Sequence, residues 1–285
     1  MLELLLSPKK AERRPWEMFF VGLFYASLSI IIVNWIFAQD VVLSRYSGIL
    51  IVTFCVMFTI PFIYYAMKHE EERDIDYQGA FKMLGEHSRA LFAFMWLFLG
   101  ILVAFSFWYI IFAPSQNFQA QIETYCMINR PSNFNDCVAQ YGAAGASKTT
   151  GFATSTSRLF IIFANNIYVL IFTLVFSLIF GAGAIFVLAW NASVIAAAVG
   201  IYTKSSLASL PMGLARYMIH GVPEIAAYFV AALAGGIVSM AVIKHDLGGE
   251  KFWNILQDSL NLIVLAVIIL FAAALIEVFV TPLIF

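Results

Sequence analysis

Apolar runs of about twenty residues recur along this chain, and no other feature restricts its fold as much. Twenty residues of helix rise about 30 Å, the thickness of a bilayer's hydrocarbon core. In lipid every backbone N–H and C=O must find its partner within the chain, which favours helices. Seven runs are long enough: 16–38, 48–67, 90–113, 158–180, 184–203, 213–243 and 259–280. The composition agrees, with 62% hydrophobic and 12% charged residues, where a soluble domain carries about 25% charged. The expected fold class is all-α, a polytopic transmembrane helical bundle of about seven spans. Gly181 and Gly183 permit a tight turn between the fourth and fifth runs; one kinked helix with a re-entrant segment is the other possibility there. A net charge of −1 leaves no broad basic surface, so nucleic acid is not an expected partner. No cleavable signal peptide is expected, because residues 1–15 turn polar and the first run follows a basic cluster.

Lys/Arg placement sets the expected orientation. Lys9, Lys10, Arg13 and Arg14 precede the first run, which puts the N-terminus in the cytoplasm. Lys68, Arg73, Lys82, Arg89, Lys244 and Lys251 then fall inside. Arg45, Arg130, Lys148, Arg158, Lys204 and Arg216 fall outside, and so does the C-terminus. Three regions follow. Residues 1–113 hold the N-terminus, three spans and a cytoplasmic loop; 114–157 form a polar extracytoplasmic loop; 158–285 form a four-span core. The expected location is the cell membrane, with the lipid bilayer as the first partner.

The outer loop contains Cys126 and Cys137, while Cys55 lies within the second run. An outward-facing loop usually meets an oxidising compartment. A Cys126–Cys137 disulfide is therefore expected, with two unpaired thiols as the alternative. The cytoplasmic segment 68–89 opens on a charged run and reads as a solvated helical extension. Its His69 and His87 have no metal-site spacing.

Polar groups inside the runs are the candidate site, since an ionisable residue at the centre of a span costs about 2.5–3.5 kcal/mol on insertion scales. Asn165 and Asn166 lie about 10–12 Å in from the outer edge. His220 falls at a similar depth, Glu224 is one turn further on the same helix face, and Glu277 lies near the outer end of the last run. Gly221 and Pro223 sit between His220 and Glu224. Proline lacks a backbone donor, so the Ile219 carbonyl is freed and a helix break is expected; broken helices serve transporter sites in this way. Two readings of the cluster stand. It lines a functional site, or His220 and Glu224 bond each other and the asparagines to lock the bundle. Asn191 and Asn261 form an inner polar pair, read as interhelical hydrogen-bond partners. Small residues at every fourth position (Ala227, Ala231, Gly235 and Ser239) let helix backbones approach closely. They suit packing within the chain or against a second copy, which leaves a homo-oligomer open.

The elements Asn165-Asn166, Gly181-Ala182-Gly183 with Asn191 and Gly200, His220-Gly221-Val222-Pro223-Glu224, and Ile276-Glu277-Val278-Phe279-Val280-Thr281-Pro282 together resemble the stage II sporulation protein M family. The resemblance covers about the last 125 residues. In sporulating bacteria it implies a membrane component of the engulfment machinery that places peptidoglycan-remodelling partners.

Three functions are compatible with these features. A non-enzymatic membrane scaffold or complex subunit, with membrane or envelope proteins as partners, fits the resemblance and the lack of any nucleotide-binding motif. A transporter, channel or permease-like subunit fits the polar groups His220 and Glu224. An intramembrane hydrolase would need His220, Glu224 and Glu277 to hold zinc, and neither H-E-x-x-H nor G-x-S-x-G occurs. No catalytic residue, cofactor or metal is expected.

Overall fold

A computed structural model describes residues 11, 13–37, 39–40, 42–73, 80–111, 117–129, 133–141, 155–180, 184–203, 206–243 and 249–285. The expected turn at 181–183 and His69 and His87 of segment 68–89 fall outside what it describes, in backbone or in side chain. The described residues contain no strand. Ten α-helices follow in chain order: α1 Glu17–Phe37, α2 Ser47–Arg73, α3 Ala80–Ile111, α4 Gln119–Asn129, α5 Phe134–Tyr141, α6 Ser155–Phe180, α7 Ala184–Tyr202, α8 Leu210–Ile243, α9 Glu250–Leu275 and α10 Thr281–Ile284. The chain is a multi-pass membrane protein. Among the described residues seven stretches are long and apolar enough to cross a membrane: Glu17–Phe37, Leu43–Ala66, Ser88–Ile111, Arg158–Leu178, Ala184–Tyr202, Leu207–Ser239 and Phe252–Ile284.

α1 shows how these helices divide their surface. Met18, Val21, Gly22, Tyr25, Ala26, Ser29, Ile30 and Val33 are buried, the i, i+3, i+4 spacing of one helical face. Phe20, Phe24, Ile31 and Trp35 are exposed on the other. Trp16 and Trp35, both exposed, are separated by about 28 Å of helix rise. Aromatic belts mark the two edges of a bilayer, and this separation matches its core.

α1 and α3 run parallel in close contact. A Cβ built on Gly22 would fall 2.2 Å from the Leu97 carbonyl oxygen, and one on Gly100 would fall 2.0 Å from that of Phe19. Only glycine fits either place. Further along the same interface the Trp108 indole donates to Ser27 Oγ at 3.0 Å.

α8 is the central helix. It packs on α3, α6, α7 and α9, and its Phe229 stacks on Phe94 of α3 with ring centroids 5.5 Å apart. Its small residues work within the chain. Ala227 and Ala231 are fully buried, and Gly235 lies against Leu174 and Ser177 of α6. Ser177 Oγ donates across to the Ala232 carbonyl. Helices before and after residue 113 contribute to one apolar core.

The region expected as a loop, 114–157, contains two helices, and α4 is built into the bundle. Phe118, just before it, packs on Phe105 and Tyr109 of α3. Gln121 is fully buried, and its Nε2 donates to the Gly48 carbonyl of α2 and to Ser193 Oγ of α7. Ser193 lies nine residues before the end of α7, about 13 Å along the helix axis. α4 therefore seats among the spans rather than above them. The disulfide Cys126–Cys137 ties it to α5. Polar composition concealed this, because the buried side of an eleven-residue helix needs only Ile122, Cys126 and one bonded glutamine.

Candidate functional site

The polar residues of α8 gather toward the bundle end that carries the α4–α5 hairpin. Their backbone is not broken. α8 runs continuously from Leu210 to Ile243 with Pro223 inside it, which corrects the expected break at Gly221 and Pro223. Proline frees one carbonyl, that of Ile219, and packing on four neighbouring helices outweighs that loss. The irregular backbone lies instead in the last span, where Ile276–Val280 forms one π turn. There the Thr281 N–H and Thr281 Oγ1, the latter at 3.2 Å, both donate to the Ile276 carbonyl. Single π turns inside α-helices occur frequently at functional sites, and this one carries Glu277.

His220 is nine-tenths buried, and its Nδ1 lies 3.3 Å from Thr281 Oγ1. The same threonine hydroxyl also reaches the Ile276 carbonyl, so Thr281 links the His220 ring to the π turn. Glu224 takes a hydrogen bond from the Tyr228 hydroxyl at 2.8 Å, one turn along the same face. His220 and Glu224 thus each have a partner other than the one the locking arrangement required.

Glu277 and Glu224 lie within electrostatic reach of each other across the α8–α9 interface, and Arg158 acts on Glu277. Neither carboxylate has a cation within ion-pairing distance; among the described residues Arg14–Glu17, at 3.1 Å, is the only such pair. The Tyr217 hydroxyl hydrogen-bonds that of Tyr125 on α4, and the Tyr217 ring lies 6.2 Å from that of His220. The hairpin is thereby joined to the polar centre.

The remaining candidates make no hydrogen bond to this centre among the described residues. Asn166 is buried on α6 and accepts from Asn165 Nδ2 at 3.4 Å; no further hydrogen bond ties either asparagine to α8 or to the last span among the described residues. Asn191 donates to the Val187 carbonyl of its own helix at 2.8 Å, and Asn261 is exposed. No hydrogen bond joins the inner pair across helices among the described residues: Asn191 bonds within its own helix, and Asn261 is exposed rather than turned to the core. Among the described residues no group of three His, Cys, Asp or Glu side chains is placed to hold a metal ion.

Sequence reasoning missed the parts played here by Tyr228, Tyr217, Tyr125 and Arg158. Tyr228 was readable, being four residues from Glu224 on one face. Tyr125 was not, since nothing in the sequence says that α4 reaches α8.

The fold defines a multi-pass helical membrane protein with two half-buried carboxylates, Glu224 and Glu277, in its last two spans. The chain belongs to the family described as Stage II sporulation protein M, whose model matches residues 49–282. The match takes in the second and third spans as well as the last four, a wider extent than the sequence motifs alone indicated. No curated protein and no solved structure matches the chain.

Proposed function

We propose that this chain is a non-enzymatic subunit of a membrane complex, located in the cell membrane and associating laterally with other membrane or envelope proteins. The observation carrying this reading is the uneven covering of the family core. Over its apolar 18-residue stretch the sixth span has 72% of its residues buried within the chain, and the fourth only 17%. The fourth turns Phe160, Ile161, Tyr168, Ile171 and Phe172 outward. Lipid solvates such a face, and helix–helix packing competes with lipid at little cost. Deleting the hairpin is a poor test, because α4 is part of the bundle. A photo-crosslinking side chain at Phe172 in the native membrane is expected to capture a discrete protein partner, while one at Trp35 of α1 captures lipid. Lipid adducts alone at both positions would refute the proposal.

A second reading, a transporter or permease-like subunit, is favoured by one observation: Glu224 and Glu277 lie within electrostatic reach of each other, with no cation in ion-pairing range among the described residues. Carboxylates at membrane depth mark ion or proton pathways in many proteins. It expects solute or proton flux in proteoliposomes that Glu224→Gln abolishes. Flux unchanged by that variant, or no flux over a panel of cations and solutes, removes it.

A further inference from the structure

The α4–α5 hairpin is seated through a side chain whose hydrogen bonding is only half complete. Gln121 is fully buried. Its Nε2 donates to the Gly48 carbonyl at 3.0 Å and to Ser193 Oγ at 3.2 Å, which bridges α2 and α7. Its Oε1 is buried as well and accepts no hydrogen bond among the described residues. An unpaired acceptor in a buried place carries the full cost of its desolvation, which exceeds what an ordinary hydrogen bond returns. That cost exists only while α4 is seated, because water reaches the amide once the helix moves outward. A buried unsatisfied group can therefore act as a reservoir of strain.

What opposes release is small. Besides Gln121, the buried side of α4 holds Ile122 and Cys126, with Phe118 just before the helix against Phe105 and Tyr109. The seat is also smooth. Gly48 offers α4 no side chain, and the three atoms nearest a Cβ built there all belong to Asn117 and Gln121, with Oε1 at 2.2 Å. The Cys126–Cys137 bond joins α4 to α5, so the two short helices move as one piece. We propose that the α4–α5 hairpin is a lid, latched by Gln121, that lifts as a disulfide-closed unit and opens the Gly48–Ser193 seat to water. Lifting also takes Tyr125 away from Tyr217, whose ring lies 6.2 Å from that of His220, so the movement is felt at the polar centre. The lid goes beyond both functional readings above and depends on neither.

The test uses the full chain in nanodiscs and a charged methanethiosulfonate that reacts with free thiols. Cys55 is the free cysteine and is buried, so the parent protein should stay unlabelled. Ser193→Cys places a thiol beneath Gln121 and should label slowly while the protein remains folded. Adding Gly48→Ala drives a methyl into Gln121 Oε1 and should speed labelling about tenfold or more, the scale of an overpacked contact. The clash is with hairpin atoms alone, so the thermal midpoint of the bundle should hold. Spin labels at Met127 and Arg45, both exposed, give a second reading that leaves the seat untouched: Gly48→Ala should add a population at longer distance. A Ser193→Cys thiol that never labels in the folded protein, labelling unchanged by Gly48→Ala, or faster labelling matched by a lower thermal midpoint would each overturn the proposal; the last is opening of the whole bundle rather than of a lid. An unchanged Met127–Arg45 distance distribution would overturn it as well, even should Ser193→Cys misfold.

Discussion

Replacing Gly100 by alanine tests the interface on which the N-terminal half depends. The new Cβ would lie 2.0 Å from the Phe19 carbonyl oxygen and 2.9 Å from the Leu23 nitrogen. Both are backbone atoms of α1, so no rotamer change relieves the clash. Contacts below 3.0 Å are essentially never seen for a real Cβ, so α1 and α3 must part by about 1 Å. A gap of that size forfeits a quarter to a half of each van der Waals contact along the crossing. Overpacking of this kind costs roughly 3 kcal/mol. Alanine regains about 1 kcal/mol of helix propensity over glycine, leaving about 2 kcal/mol net. For a chain of this size that is a fall in Tm of roughly 4–8 °C. Gly221→Ala is the internal comparison. There the nearest atom is the flexible end of Met218, at 3.1 Å, and α8 is continuous, so stability should hold or rise by up to about 1 kcal/mol. Thermal unfolding in detergent, followed by tryptophan fluorescence, reads both. An unchanged Tm for Gly100→Ala would refute the close crossing. A large fall for Gly221→Ala would refute the continuous helix.

Tyr228→Phe removes the one side-chain hydrogen bond that Glu224 receives among the described residues and should destabilise the fold by about 1–3 kcal/mol, read in the same melt; Glu224→Leu combined with it should recover part of that loss. Cys126→Ser opens the link between α4 and α5, whose cysteines are 11 residues apart in sequence, and should cost about 2–4 kcal/mol while exposing Cys137 to a thiol-reactive label. Asp40 accepts the Leu43 and Val42 N–H groups at 2.8 Å each, which holds its carboxyl below the usual carboxylate value. A depressed folded value means that this turn is supported above the unfolded pKa, near 4, and loses that support as pH falls through the folded one. The Val42 and Leu43 amides should lose exchange protection over that acidic window, and Asp40→Ala should remove the pH dependence.

Much of the architecture was legible in the chain because a bilayer leaves few alternatives: a run of about twenty apolar residues has to be a helix. Seven spans, their approximate limits, and the use of Ala227, Ala231 and Gly235 in close packing followed from length and spacing. The centre was legible only in part. His220, Glu224 and Glu277 stand out as ionisable groups where charge is expensive, but their partners are set by neighbours distant in sequence. His220 meets Thr281 rather than Glu224, and the backbone irregularity lies beside Glu277 rather than at Pro223.

The amino-acid sequence by itself determined that this protein lives in a membrane, that it is helical, and which helices carry charge into the lipid. Tertiary structure decided which faces meet: that α4 seats against α2 and α7, that Tyr125 reaches Tyr217, and that Thr281 meets His220. Hydrophobicity is a property of each segment and can be read along the chain. A hydrogen bond or a shared electrostatic field between segments depends on helix rotation and depth, which only packing fixes.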